Sequence, residues 1–382
     1  MGVMMGVVLA RILTPHDFGV FGYAASLVVI AFIPANWNLS QMLVPDGGKT
    51  RSLYFECLGF AWGIVAAKFL LLCGLTAYLW FRGDREAAAI AALFGYPTLF
   101  NDIVNVQRAV CEGRGQFKIN FYNAVLTILV ALGFGAPLAL MGFGPYALVL
   151  PTPVLIIGQL ILYGRATGLP VFSLREMRFP LQYFGRGFQM WLISSCEQAL
   201  SRVDKVIVAS FSGEAALGNY SRAFNYAPMS HQLLNSLLTN PTVSALARQQ
   251  DRGRRIGIIW KTAALVIGSG AINWLLVLLL SRPLVPLVFG PQWVSSIPFF
   301  EAFGGLSLAY AVSGLPMTIL LSQRRYGMIA GIRLLFTCLI LGGFYLAFAR
   351  GHYLLGPHIL VYGLIAQGVV MFPFAYRGLF RI

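Results

Sequence analysis

Apolar residues run along this chain in stretches of twenty or more, separated by short polar breaks. A helix needs about 20 mostly apolar residues to cross a bilayer. Stretches of that kind fall at 17–42, 55–81, 87–110, 118–141, 144–164, 182–211, 215–245, 257–281, 295–321, 326–349 and 356–376, and a shorter one at 1–10. The breaks carry turn residues: Thr14-Pro15, Asp46-Gly47-Gly48, Arg82-Gly83-Asp84, Gly142-Phe143-Gly144-Pro145, Ser212-Gly213 and Gly290-Pro291. The pattern predicts an all-α, polytopic membrane protein of about twelve transmembrane helices, the first incomplete.

Segments related in sequence suggest two halves. Ala10, Gly19, Ala24, Asn36 and Leu39 match Ala209, Gly218, Ala223, Asn235 and Leu238 at one offset, with Phe21 opposite Tyr220. Phe81-Arg82-Gly83 resembles Val288-Phe289-Gly290, and Arg114-Gly115-Gln116-Phe117 resembles Gln323-Arg324-Arg325-Tyr326. The expected organisation is an N-terminal lobe at 1–164, a cytoplasmic linker at 165–181 and a C-terminal lobe at 182–382, six helices to a lobe. An even number of helices between the halves makes them parallel repeats. The same alignment gives the helix at 182–211 a partner that would begin before residue 1, so the chain is expected to start inside its first helix.

Composition agrees with the pattern. Of 382 residues, 58% are hydrophobic and 11% charged, with mean hydropathy +0.74; soluble domains have roughly 25% charged residues. The net charge of +15 would suit nucleic acid in a soluble protein, but its distribution points elsewhere. Lys and Arg in alternate breaks number 17 (Lys49, Arg51, Arg114, Lys118 and Arg252 among them) against 5 (Arg11, Arg82, Arg85, Arg282 and Arg350). That bias places the first set, and the C-terminus, in the cytoplasm. No nucleic-acid partner is expected. Cys57, Cys73, Cys111, Cys196 and Cys338 have no metal-ligand spacing and read as small core hydrophobes.

Polar side chains inside spans are costly, so each is a candidate for function. On the seventh helix Ser194, Glu197, Gln198, Ser201, Arg202, Asp204 and Lys205 fall within an arc of roughly 160° at 100° per residue. The eighth carries Arg222, Asn225, Gln232 and Asn235 on one face. The fourth carries Asn101, Asp102, Asn105 and Arg108, and the second ends in Asn36. Arg202, Lys205 and Arg222 are cations suited to an anionic, phosphate-bearing substrate. Asn36, Asn101, Asn105, Gln198, Ser201, Asn225, Gln232 and Asn235 are the candidate polar lining of a cavity. Asp102, Glu197 and Asp204 are the candidates for ion coupling. The competing reading is structural: Asp204 pairs with Arg202 or Lys205, and Asp102 with Arg108. Lys68 either snorkels or lines the cavity. Gly48-Lys49-Thr50 ends like a phosphate-binding loop, but Leu43 stands where its first glycine belongs. No catalytic or metal-binding motif appears, and an enzyme is not expected.

Ala10-Arg11-Ile12-Leu13-Thr14-Pro15-His16-Asp17-Phe18-Gly19 resembles the loop after the first helix in polysaccharide and oligosaccharide flippases of the multidrug/oligosaccharidyl-lipid/polysaccharide exporter superfamily. Ser201-Arg202-Val203-Asp204-Lys205, followed by Gly213 to Tyr220, is similar to that family's junction of helices seven and eight. Phe289-Gly290-Pro291-Gln292-Trp293 is similar to its loop between helices nine and ten. The resemblance covers the whole chain and implies two lobes that rock around a cationic cavity. It implies transfer of lipid-linked oligosaccharide, carried on undecaprenyl pyrophosphate, across a bacterial inner membrane for surface polysaccharide synthesis. Membrane lipid and other polysaccharide-assembly membrane proteins are the implied partners. No cofactor is expected beyond coupling to protons or sodium. The rival readings are a cation-coupled multidrug exporter of the same superfamily, a membrane-embedded enzyme acting on lipid-linked sugars, and a channel.

Overall fold

A computed structural model describes residues 3–37, 43, 51–172, 184–229, 252–323 and 325–379. Every regular element among them is helical. The chain opens with α1 (Val3–Ile12), and α2 (Pro15–Phe32) follows. Thr14 starts α2 with a capping box: the Asp17 carboxylate accepts the Thr14 backbone N–H at 2.8 Å, and the Asp17 N–H donates back to the Thr14 hydroxyl at 3.3 Å. Pro15 at the first helical position has no N–H to lose there. The apolar pattern predicts a helix to 42, yet α2 ends at Phe32 in a 3-10 turn over Ile33–Ala35. Pro34 is the reason, because it has no N–H to continue the helical ladder and its ring crowds the carbonyl four residues back.

Next come α3 (Arg51–Phe81), α4 (Arg85–Thr98) and α5 (Asn101–Gly113). The last two form one apolar stretch interrupted beside Pro97. They are followed by α6 (Phe117–Val130), a π turn over Ala131–Gly135, α7 (Ala136–Leu140), α8 (Tyr146–Val149) and α9 (Pro151–Thr167). Then comes α10 (Phe184–Tyr226), 43 residues long, with Gly213 at φ 80° and ψ 175° breaking it where Ser212-Gly213 predicts a break. The last five helices are α11 (Arg252–Phe289), α12 (Ile297–Phe303), α13 (Leu306–Ser322), α14 (Tyr326–Ala349) and α15 (Leu355–Leu379). The expected end of α11 at 281 is overrun by eight residues, through Pro283 and Pro286.

Among the described residues nine helical stretches are long and apolar enough to span a bilayer: Pro15–Ala35, Arg51–Phe81, Arg85–Gly113, Phe117–Leu140, Tyr146–Thr167, Trp260–Phe289, Pro291–Leu321, Tyr326–Ala349 and Leu355–Arg377. Each overlaps one expected span. The chain is therefore a multi-pass, all-helical membrane protein. Part of the expected helix at 215–245, most of the expected linker and the Asp46-Gly47-Gly48 break lie outside the described residues.

Helix ends repeat between the halves. Gly142 and Gly351 both have positive φ (82° and 77°). Each closes its helix with paired bonds: Gly142 N–H to Ala139 O and Phe143 N–H to Leu138 O, Gly351 N–H to Phe348 O and His352 N–H to Ala347 O. This is the Schellman arrangement, in which a left-handed residue lets the chain turn back onto the last carbonyls. Gly83 and Gly290, matched in the sequence, also share positive φ (89° and 108°). Phe117 and Tyr326, also matched in the sequence, each begin a helix.

Contacts divide the chain into two compact units, Met1–Gln198 and Ala199–Ile382. The first is cored by Val20, Ala24 and Val28 of α2, Tyr54, Leu58 and Leu72 of α3, Ile90 and Ala91 of α4, and Ile103 and Val110 of α5. Outside that core α6 presents Phe117, Phe121, Tyr122 and Leu129 on an exposed apolar side, as a lipid-facing helix does. In the second unit α15 packs against α13 and α14. Gly368 permits the first of these contacts, because a Cβ there would lie 2.5 Å from the Val312 carbonyl oxygen. Three of the cysteines, Cys57, Cys111 and Cys196, are buried with no disulfide.

Candidate functional site

In the N-terminal unit the charged centre is a pair inside the bundle. Lys68 of α3 and Asp102 of α5 meet at 2.7 Å, and both side chains are buried. The Lys68 ammonium also lies 5.4 Å from the centre of the Phe32 ring. Lys68 therefore does not snorkel. Nor does Asp102 pair with Arg108, which sits exposed one face away and holds Glu112 at 2.8 Å. Asn120 of α6 donates to the same Glu112 and accepts from Tyr163 of α9 at 3.0 Å, which ties three helices together by their polar edges. Of the predicted lining on α5, Asn101 is half-buried and Asn105 exposed.

The end of α2 builds a second feature. Asn36 and Trp37 follow the 3-10 turn, and both are half-buried. The Trp37 indole N–H donates to Pro34 O at 3.1 Å, and the Trp191 indole of α10 donates to Ile33 O at 2.9 Å. The two indoles stack at 5.6 Å with 20° between planes, and Phe188 and Phe60 pack around them. Farther along α10, Glu197 is exposed and Gln198 half-buried.

In the C-terminal unit the rest of the predicted polar arc turns inward. Asp204 is fully buried, and its carboxylate accepts the Tyr220 hydroxyl at 2.5 Å and the Lys205 backbone N–H at 2.7 Å. The Lys205 ammonium sits 4.7 Å from the centre of the Phe224 ring, itself stacked on Tyr220. Sequence reading named Asp204 and Lys205 but gave Tyr220 no role, although it met Tyr220 in the match to Phe21 and at the end of the Gly213 to Tyr220 segment. Arg222 is 5% exposed and lies in an aromatic cage: its guanidinium carbon is 4.6 Å from the centre of Trp293, 5.3 Å from that of Tyr226 and 5.4 Å from that of Phe289. Such contacts are worth ~0.5–2 kcal/mol each, more where water is excluded. The Gly290 turn brings Trp293 there, with Gly290 at φ 108°. Ser201 and Arg202 are half-buried, and Asn225 is exposed. Gln232 and Asn235 lie outside the described residues.

Each unit thus holds a carboxylate in its apolar interior: Asp102 lies against the Lys68 ammonium, and Asp204 accepts the Tyr220 hydroxyl with the charges of Lys205 and Arg202 nearby. Lys205 and Arg222 of the second unit lie over aromatic faces.

Known proteins share this sequence and architecture. The family model for polysaccharide biosynthesis protein matches residues 8–298. The lipopolysaccharide biosynthesis protein WzxC of Escherichia coli strain K12 is 24% identical over 339 residues, which cover 85% of this chain and 67% of that protein. An uncharacterized membrane protein in the cps region of Klebsiella pneumoniae is 24% identical over 318 residues, covering 79% of this chain and 63% of that one. The chain spans about two thirds of the length of these relatives. Among solved structures, the inward-facing conformation of a multidrug resistance MATE family transporter of the MOP superfamily superimposes with a TM-score of 0.70 at 12% identity, over 99% of this chain and 95% of that one. The outward-facing conformation of a transporter of that family gives 0.62 at 14% identity, over 99% and 88%. A MOP superfamily transporter from Pyrococcus furiosus, described as having a binding pocket of reverse polarity, gives 0.61 at 14% identity, over 99% and 88%. At such identities the likeness is one of fold.

Proposed function

The chain belongs to the polysaccharide biosynthesis protein family, and on that premise we propose that it moves lipid-linked oligosaccharide units across a bacterial inner membrane. The observation that carries this reading is the coincidence of two findings. The family match runs over residues 8–298, and the whole chain takes the fold of transporters. The buried cations support an anionic substrate such as a polyprenyl pyrophosphate. Arg202, Lys205 and Arg222 are the residues we assign to the pyrophosphate; Asn36, Asn101, Asn105, Gln198, Ser201, Asn225, Gln232 and Asn235 are assigned to sugar hydroxyls. Asp102, Glu197 and Asp204 are the carboxylates for a coupling proton or sodium ion. In this reading the two units alternate access to a bound substrate. The C-terminus lies in the cytoplasm, and other polysaccharide-assembly membrane proteins act alongside.

The test is transfer itself. Proteoliposomes holding the protein and a fluorescent undecaprenyl-pyrophosphate oligosaccharide should expose the glycan to an external lectin faster than empty vesicles do. Arg202→Ala with Arg222→Ala should bring the rate down at least tenfold at equal protein content. Transfer no faster than in empty vesicles would sink the reading. Transfer unchanged in the double variant would sink only the assignment of those cations.

A further inference from the structure

We propose that the aromatic cluster at the end of α2, formed by Trp37, Phe188 and Trp191, is the platform on which the saccharide of the substrate rests. The proposal deepens the lipid-linked oligosaccharide reading and depends on it. Its physical basis begins at Pro34. The 3-10 turn over Ile33–Ala35 ends the helix; Ile33 O accepts the Asn36 N–H at 3.2 Å, and it and Pro34 O also take side-chain donors. Those donors are the two indole N–H groups, at 2.9 Å from Trp191 and 3.1 Å from Trp37. Each ring is thereby fixed in orientation at its polar edge.

That use of the N–H separates this cluster from an ordinary interfacial belt. A belt tryptophan lies at the boundary with its N–H toward water or headgroups. Here both donors are spent on backbone, and what the rings still offer is carbon: faces and C–H edges. Trp37 and Trp191 are half-buried, and Phe188 is 49% exposed, so the Phe188 ring offers open surface at the edge of the cluster. Phe60, 8% exposed, backs it from α3 with an edge contact of 6.4 Å to Trp37.

A pyranose is complementary to such a surface. One of its faces is an array of C–H bonds that rests on aromatic carbon, and its hydroxyls project around the rim. Hydrogen-bonding groups flank this platform where the rim would lie. Asn36 precedes Trp37 in the chain. Gln198 follows Trp191 by seven residues, which places it on the same side of α10 about 10 Å farther on. A bare phospholipid headgroup has no C–H face to set there.

The experiment compares two probes on the full-length protein in lipid nanodiscs. One is the lipid-linked oligosaccharide fraction extracted from the source cells; the other is undecaprenyl pyrophosphate without sugar. Wild type should bind the glycan-bearing probe about tenfold more tightly than the bare one, with a change in tryptophan fluorescence only for the former. Phe188→Leu, a change at an exposed position, should reduce that ratio severalfold without altering the melting temperature. Trp191→Ala should abolish it and Trp191→Phe restore part of it. Equal binding of the glycan-bearing probe by wild type and Phe188→Leu, with the bare probe also bound, would overturn the platform and leave the transport reading intact. Failure of wild type to bind either probe would overturn the transport reading, and the platform with it.

Discussion

Replacing Lys68 by methionine is expected to destabilise the protein by about 3–5 kcal/mol, the usual cost of stranding one member of a buried ion pair. The partner left behind is Asp102, 9% exposed and 2.7 Å from the lost ammonium. Asp102→Leu alone should do comparable damage by stranding Lys68. The double variant should recover most of the loss, because both charges go and two apolar side chains of similar bulk replace them. The measurement is the melting temperature of the detergent-purified protein, with its abundance in membranes as a second readout. Singles as stable as wild type would show that the pair is not a structural unit. Transport separates stability from mechanism. If Asp102 holds the coupling ion, the double variant will be folded and will not transfer substrate.

The second large effect is expected at Tyr220. Its hydroxyl donates to a carboxylate with no exposed surface, and Tyr220 itself is fully buried among Phe224, Phe299, Phe303 and Phe344. Tyr220→Phe keeps the ring and its packing and removes the one donor. A hydrogen bond to a charged group contributes ~1.5–3 kcal/mol, and a buried acceptor left unsatisfied adds its own penalty. Asp204→Asn should cost less, since an amide oxygen still accepts from the phenol. The order of melting temperatures should be wild type, then Asp204→Asn, then Tyr220→Phe. The reverse order would mean that Asp204 is held by its charge rather than by the tyrosine.

The positions of the helices were legible in the sequence because two independent signals agreed. Apolar stretches gave the bodies, and glycines at Gly83, Gly142, Gly213 and Gly290 gave the ends, where positive φ is needed. What escaped was set by proline and by rotation. Pro34 ended α2 early, while Pro283 and Pro286 lay inside α11 without stopping it. One residue type does both because a helix tolerates the missing N–H only where its neighbours restore the lost contacts. Pairing escaped for a different reason. Arg108 is six residues from Asp102 on the same helix, and that short separation suggested it; Lys68 is 34 residues away, and only the rotation of α3 against α5 aims it there.

The predicted arc on α10 shows the same limit from the other side. The residues do share one angular sector, but they do not share an environment. Through Gln198 the helix belongs to the first unit, and from Ala199 to the second. Glu197 is exposed while Asp204 and Lys205 are buried. A helical wheel assumes one neighbour along the whole length, and α10 changes neighbours partway.

One tie in the first unit bears on how the protein is made. After α9 the chain runs back along α3, where the Tyr54 hydroxyl donates to Pro170 O at 2.9 Å and the Trp62 indole to Val171 O at 3.1 Å. Arg114, which caps α5, donates to Thr167 O at 2.9 Å just before. All of these partners are synthesised before residue 173. Units of a long chain assemble in order of synthesis, so this tie can close while the ribosome is still translating the second half. The nascent chain would then leave an already tied bundle at a fixed point, with the first turns of α10, which complete the unit, still to be made.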